Sequence, residues 1–333
     1  MRLSNKNIVV TGGAGFIGSH VVDRLISDNN EVMIIDDFST GKWKNIEHLS
    51  DGGLLHVEKA DVKDLDLMIR LTEGADVVFH MAVACLRTSL NDPFFVHETN
   101  ATATLNMCLA AHKNNVKRFI YVSSSEAYGS ALYVPMDEEH PLNPTTVYGA
   151  SKAAGELYAL AYWHTYGLPT VVVRPFNNYG PREPSEGHRA EVIPKFVMRV
   201  MAGLEPVIFG TGKQTRDFTW VEDCARGIIM AAECDDLVGD CINIAYGEEV
   251  SIEEVCNLIL EELGCLHIRP RYLNDGRPGD VRRHYADISK ARQLIGFEPT
   301  VDIRLGIKQY IWYVQENKPD LDNWVQQERI KNW

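Results

Sequence analysis

The sequence predicts an α/β protein, a doubly wound parallel sheet followed by a smaller mixed α/β lobe. Three observations carry this. Six short, nearly continuous apolar runs recur through the first half of the 333-residue chain, with helical stretches interspersed. A glycine-rich turn at 12–18 joins the first run to the first helix. After Arg174 the regular alternation stops and shorter elements take over.

Residues 7–11 (NIVVT) read as the first strand and 16–27 as an apolar-periodic helix. Strands follow at 31–35, closing on Asp36 and Asp37, and at 54–58, followed by Asp61. The fourth and fifth are expected at 75–81 (ADVVFHM) and 116–123 (VKRFIYVS), with a helix at 99–113 between them. The sixth, 168–174 (LPTVVVR), is reached through a Pro-free helix that begins near Tyr148 and runs to 166. Residues 175–189 read as a loop, marked by Gly180, Pro181, Pro184 and Gly187. Beyond it come a helix at 192–201, a strand at 241–244 and a helix at 251–263, opened by a capping box of Ser251 and Glu254. The expected division is 1–176 for the sheet domain, with 216–246 returning to it, and 177–333 for the second lobe.

A net charge of −13 excludes a nucleic-acid backbone as partner, because no basic surplus exists to neutralise phosphates. Seven cysteines without a C-x-x-C pair point to a reduced compartment, with neither a disulfide framework nor a metal site. The first residues lack a signal segment and no apolar run approaches a membrane span, so a cytoplasmic protein is expected.

Gly12, Gly15 and Gly18 lie between the first strand and the first helix. Glycine permits the tight turn and lets backbone amides approach a pyrophosphate at a helix N-terminus, where the dipole favours negative charge. Asp36 follows Gly18 by eighteen positions, at the end of the second strand, where a carboxylate grips a ribose diol. It also repels a 2′-phosphate. NAD is the expected cofactor, ahead of NADP.

Tyr148 and Lys152 are four apart and fall on one helix face. An ammonium beside a phenol favours the phenolate, so the spacing predicts a lowered tyrosine pKa and a general base.

The stretch TGGAGFIGSH, Asp36, Asp61-Val62, His80-Met81-Ala82 and Tyr148-x-x-x-Lys152, in this order, resembles the extended short-chain dehydrogenase/reductase family. More narrowly it is similar to the NAD-dependent nucleotide-sugar epimerases and dehydratases, over nearly the whole chain. The resemblance implies a Rossmann-type domain with Phe16, Ile17, Ala82 and Asn100 joining the glycines at the cofactor, and Asp61 and Val62 at the adenine. It implies that Lys152 also holds the nicotinamide ribose and that Ser124 helps hold the sugar's 4-hydroxyl. It further implies a homodimer through the helices at 99–113 and 148–166.

The second lobe resembles the family's nucleoside diphosphate sugar site. Asn177 and Arg182, within RPFNNYGPR, match its phosphate-side segment, and Val192 its nucleobase-packing stretch. Arg216 and Arg277, the latter in Arg277-Pro278-Gly279-Asp280, match two segments that clamp the diphosphate. Guanidinium forks suit phosphate oxygens. The expected substrate is a UDP-sugar, ahead of dTDP.

The shared chemistry passes through a 4-keto sugar, with Tyr148 taking the 4-hydroxyl proton. Glu126, in SSSEAYG, stands where family dehydratases and decarboxylases often carry glutamate, and a carboxylate there can remove the C5 proton. The leading expectation is a 4,6-dehydratase acting on a UDP-N-acetylglucosamine-like sugar. A UDP-sugar 4-epimerase follows, then a UDP-glucuronate decarboxylase; a catalytically silent NAD sensor is the non-enzymatic alternative. Ser125 departs from the aspartate of thymidine-diphosphate-glucose dehydratases, and the 82–89 segment is one residue short. Arg87 in that segment keeps a hexuronic acid substrate open.

Overall fold

The structure, a computed structural model, describes residues 1–274, 276–331 and 333. Seven parallel strands form the central sheet: β1 (Asn7–Thr11), β2 (Glu31–Asp36), β3 (Leu55–Lys59), β4 (Val77–His80), β5 (Arg118–Val122), β6 (Thr170–Pro175) and β7 (Asp240–Ile244). Their spatial order is β7-β6-β5-β4-β1-β2-β3, and every pairing is parallel. The order reverses between β1 and β4, which leaves a crevice at the carboxyl ends of these two strands.

Alternation along each strand assigns side chains to two cores. Ile120, Val122, Val171 and Val173 face one side, where α1 (Phe16–Ser27) and the helix Val221–Glu233 cover them with Val21, Leu25, Ala225 and Ile228. Phe119, Tyr121 and Val172 face the other. There Leu65–Leu71, α2 (Ala103–Lys113) and α3 (Val147–Tyr166) supply Met68, Met107, Cys108 and Ala159. The helix expected at 99–113 begins α-helical only at Ala103. A π turn, Glu98–Thr102, joins it to a preceding helix at Pro93–His97.

A third core belongs to the second lobe. Helices α4 (Val192–Met201), α5 (Ile252–Glu262) and α6 (Ile303–Glu316) pack Phe196, Val197, Val255, Ile259, Ile307 and Tyr310 together. The capping box at Ser251 and Glu254 is formed in both directions. The stretch read as a loop at 175–189 contains a two-residue strand, Asn178–Tyr179, paired with Thr219–Trp220.

A buried polar network stands behind the site. Arg174 on β6 is ion-paired with Glu156 on α3 and donates to the Tyr128 hydroxyl at 2.6 Å. That hydroxyl donates to Asn243 on β7 at 2.8 Å. All seven cysteines are free, and no helix among the described residues is long and apolar enough to cross a membrane.

Candidate active site

A cavity of about 720 Å³ opens along the carboxyl ends of β1 and β4 and extends into the lobe. Its first end is the glycine turn. Gly12 adopts φ +70°, and a Cβ there would stand 2.8 Å from the Ala82 amide nitrogen. A Cβ on Gly18 would lie 2.2 Å from the Gly12 carbonyl oxygen. These glycines are required by close backbone approach, not by flexibility. Gly15 is the N-cap of helix α1, which has no side-chain cap and no acidic residue in its first turn. Its leading N–H groups therefore have no competitor within the chain for an anion, which fits a dinucleotide pyrophosphate.

Asp36 closes β2 at this end, 6% exposed. Its oxygens accept the N–H groups of Ala14 at 3.0 Å and Phe38 at 2.9 Å. Burial raises its pKa against those two hydrogen bonds. One lone pair on each oxygen remains for a hydroxyl donor. Gly15, Phe16, Ile17, Asp61, Val62 and Ala82 line the same end.

The middle of the cavity holds Ser124, Glu126, Tyr148 and Lys152. Their approach depends on Gly149, where a Cβ would fall 2.4 Å from the Glu126 carbonyl. Helix α3, capped by Thr146 accepting the Gly149 N–H at 3.0 Å, can thus press its first turn against the loop after β5. His284 supports that loop from behind, its Nε2 3.0 Å from the Ser125 carbonyl. Burial lowers the His284 pKa to about 3, so the ring is neutral and Nε2 donates.

The electrostatics of this group differ from the spacing argument. Burial raises the Tyr148 phenol above its ordinary range, and only its hydrogen bond with Ser124 pulls it down. The Lys152 Nζ donates to the Val122 carbonyl at 2.7 Å and lies 4.5 Å above the Tyr121 ring. Burial lowers its pKa to about 7. Sharing a helix face does not bring the two head groups into an ion pair, because the lysine reaches back to the strand. Glu126 is raised by burial against the pull of Arg277 and Arg216, and its Oε2 is buried without a partner.

The far end is lined by the lobe. Arg216, 7% exposed, donates to Asp280 at 2.6 Å, and Arg277 donates to the same Asp280 oxygen at 3.1 Å. Thr145 fixes the turn that carries the latter two by donating to the Gly279 carbonyl at 3.0 Å. Asp217 anchors the neighbouring segment through the N–H groups of Tyr246 and Gly247, both at 3.0 Å, and Ala286 at 3.3 Å. Asn177 and Val192 line the cavity as well, although the Asn177 amide already donates to the Asp217 carbonyl.

Two expected residues do not reach it. Asn100 is a brace: its side chain accepts the Ala84 N–H at 2.8 Å and donates to the Ala84 carbonyl and Ser151. Arg182, at φ +68°, turns away to pair with Asp23 at 2.8 Å. Arg87 does line the cavity, but it is paired with Glu191. Sequence reasoning missed Glu183, Glu191, Lys195, Phe209 and Trp333, all of which line the cavity. The Phe209 and Trp333 rings meet edge-on at 4.6 Å. The angled aromatic pair they make has no local sequence signature.

Residues 8–245 match the NAD dependent epimerase/dehydratase family. A putative UDP-glucose 4-epimerase from Methanocaldococcus jannaschii is 37% identical over 314 residues, 93% of this chain and 99% of that one. The structure of UDP-N-acetylglucosamine 4-epimerase from Methanobrevibacter ruminantium in complex with UDP-N-acetylmuramic acid superposes with a TM-score of 0.88. It shares 37% identity and covers 94% of this chain and 99% of its own. The dTDP-glucose 4,6-dehydratase DesIV from Streptomyces venezuelae, solved with NAD bound, gives 0.89 at 30% identity, covering 97% of this chain and all of its own. With the glycine turn, Asp36 and the Tyr148–Lys152 helix in one cavity, the chain belongs to the NAD dependent epimerase/dehydratase family of nucleotide-sugar enzymes, and NAD is its cofactor.

Proposed function

We propose that the protein is a UDP-sugar 4,6-dehydratase working through a 4-keto intermediate on an uncharged sugar of the N-acetylglucosamine type. The single observation that carries this reading is Glu126 Oε2, a buried carboxylate oxygen without a partner in the same cavity as Tyr148. A glutamate serving as a cap or ion-pair member would have its oxygens satisfied.

Residues 1–176, with 216–246, form the cofactor half in this reading, and 177–333 the nucleotide-sugar half. Gly12, Gly15, Gly18 and Asp36 hold NAD, with Phe16, Ile17, Asp61, Val62 and Ala82 around it. NAD, when bound, supplies the hydride acceptor and donor. Ser124 orients the 4-hydroxyl, and Tyr148 takes its proton as C4 becomes a ketone; burial alone keeps the phenol protonated, so its ionisation would draw on the positive charge that NAD brings when bound. That ketone acidifies the C5 proton, which Glu126 removes and passes to the departing C6 oxygen, so that water leaves and a 5,6-alkene remains; addition of the hydride at C6 and a proton at C5 then gives the 4-keto-6-deoxy product. Lys152 holds positive charge under the tyrosine side of the site, and Arg216 and Arg277 bind the diphosphate. The protein is read as a cytoplasmic homodimer paired through α2 and α3, whose surfaces expose Leu105, Leu157 and Tyr166.

A second reading, a UDP-sugar 4-epimerase, is favoured by the 37% identity to relatives of that name. Glu126→Gln separates the two. In a dehydratase it lowers loss of water, read by mass spectrometry, by a factor of about 10² to 10⁴, and slows solvent deuterium entry at C5. In an epimerase the variant interconverts C4 epimers almost normally, and the wild type takes up no deuterium at C5.

A further inference from the structure

Arg87 and Glu191 lie 104 positions apart in sequence and meet across the cavity. Arg87 stands on the short helix Leu86–Ser89 beside the sheet, and Glu191 immediately precedes α4 in the lobe. Both Nη atoms of Arg87 engage both oxygens of Glu191, with Nη2 to Oε2 at 2.9 Å. This is the bidentate, fork-to-fork arrangement, in which little of the guanidinium's charge is left for another anion. Arg87 is 8% exposed, whereas the Glu191 side chain is half exposed and lines the cavity. One donor remains. Arg87 Nε is buried and has no partner.

The surroundings locate the pair along the cavity. Glu191 is near enough to act electrostatically on Tyr148 and Glu126 and to respond to Arg216 and Arg277, and all five line the one cavity. It therefore shares one stretch of the cavity with the proton-transfer residues and the arginine pair. A sugar whose 4-hydroxyl meets Tyr148 and whose diphosphate meets Arg216 and Arg277 has its ring beside Arg87 and Glu191. Glu183, 8% exposed, lines the cavity near them and adds a second carboxyl group.

We infer that the Arg87–Glu191 pair selects sugars without a carboxylate, presenting to the sugar a guanidinium already neutralised through both of its Nη atoms. A sugar carboxylate entering this space must displace Glu191 from a two-point pair or lie beside its charge, and like charges in an enclosed site repel strongly. The hexuronic acid that Arg87 keeps open in the sequence is thereby disfavoured. The inference rests on the nucleoside diphosphate sugar reading above.

The test is calorimetric binding to the NAD-loaded protein of UDP, UDP-glucose, UDP-N-acetylglucosamine and UDP-glucuronate. The wild type is expected to bind the better of the two uncharged sugar nucleotides at least about tenfold tighter than the glucuronate. Glu191→Gln, which frees the guanidinium, should narrow that ratio by about tenfold or more. Arg87→Gln, which frees the carboxylate, should widen it. Equal wild-type affinity for the glucuronate overturns the inference, as does a ratio unmoved in both variants. If UDP binds but the ratio stays fixed, only the selection fails. Absence of binding by UDP and all three sugar nucleotides removes the reading beneath it as well.

Discussion

The Lys152 ammonium donates to the Val122 carbonyl at 2.7 Å, so helix α3 is tied to the end of β5 by the side chain its sequence assigns to chemistry. Burial lowers the Lys152 pKa to about 7, while the unfolded chain keeps the ordinary lysine value. Between these two values the unfolded state binds the extra proton, so stability rises with pH across that window and the penalty is fully present below it. Denaturant titrations of NAD-free protein should show this rise from about pH 7 upward, toward the ordinary lysine value of 10.5. Lys152→Met should flatten it and abolish turnover.

Tyr148→Phe should lower turnover by a factor of about 10² to 10⁴, because it deletes the proton acceptor and keeps the ring. NAD affinity, measured by calorimetry, should stay close to wild type. Full activity in the variant would remove Tyr148 from the mechanism.

Arg216→Ala and Arg277→Ala should each raise the substrate KM, by the ~2–5 kcal/mol typical of truncating a buried charged partner, with little effect on NAD affinity. Both guanidinium groups share one oxygen of Asp280, so the double variant should fall short of the sum of the single effects. Additive effects in KM would show that the two arginines act apart.

Gly18→Ala should destabilise the protein by about 1–3 kcal/mol and weaken NAD binding, because the new methyl group meets the Gly12 carbonyl oxygen at 2.2 Å. Thermal unfolding with and without NAD reads both effects. An unchanged melting temperature would mean that the turn yields without cost.

NAD should bind more tightly than NADP, since Asp36 ends β2 with its carboxylate fixed by two backbone N–H groups. Competition between the two dinucleotides at constant ionic strength checks this. Reversal of the preference would assign Asp36 a purely structural role.

The sheet was legible because buried parallel strands leave unbroken apolar runs, and because glycines at a strand–helix turn have few other uses. The expected strand at 75–81 is realised as Val77–His80 and that at 116–123 as Arg118–Val122. The differences lie at the ends, where sequence pattern carries least information. Tyr148 and Lys152 were found by spacing, yet spacing could not show that the lysine reaches the strand. Partnerships between remote segments were not legible at all. Arg87 with Glu191, Arg216 with Asp280, and Asn100 with Ala84 are set by packing of elements whose sequences carry no trace of each other.

The edge strand β7 bears on how the protein is made. It pairs with β6 along Asp240–Ile244, after the chain has already left the sheet to build α4 and several elements of the lobe. During synthesis β6 therefore emerges with its outer edge unpaired and waits for residue 244 before the sheet is complete. Asn243 supplies the Tyr128 hydroxyl with its acceptor, so the network behind Glu126 also closes late. A nascent chain stalled short of this strand would present an open, apolar edge to its neighbours, and the sheet cannot close before the first segment of the lobe, which interrupts it, has been made.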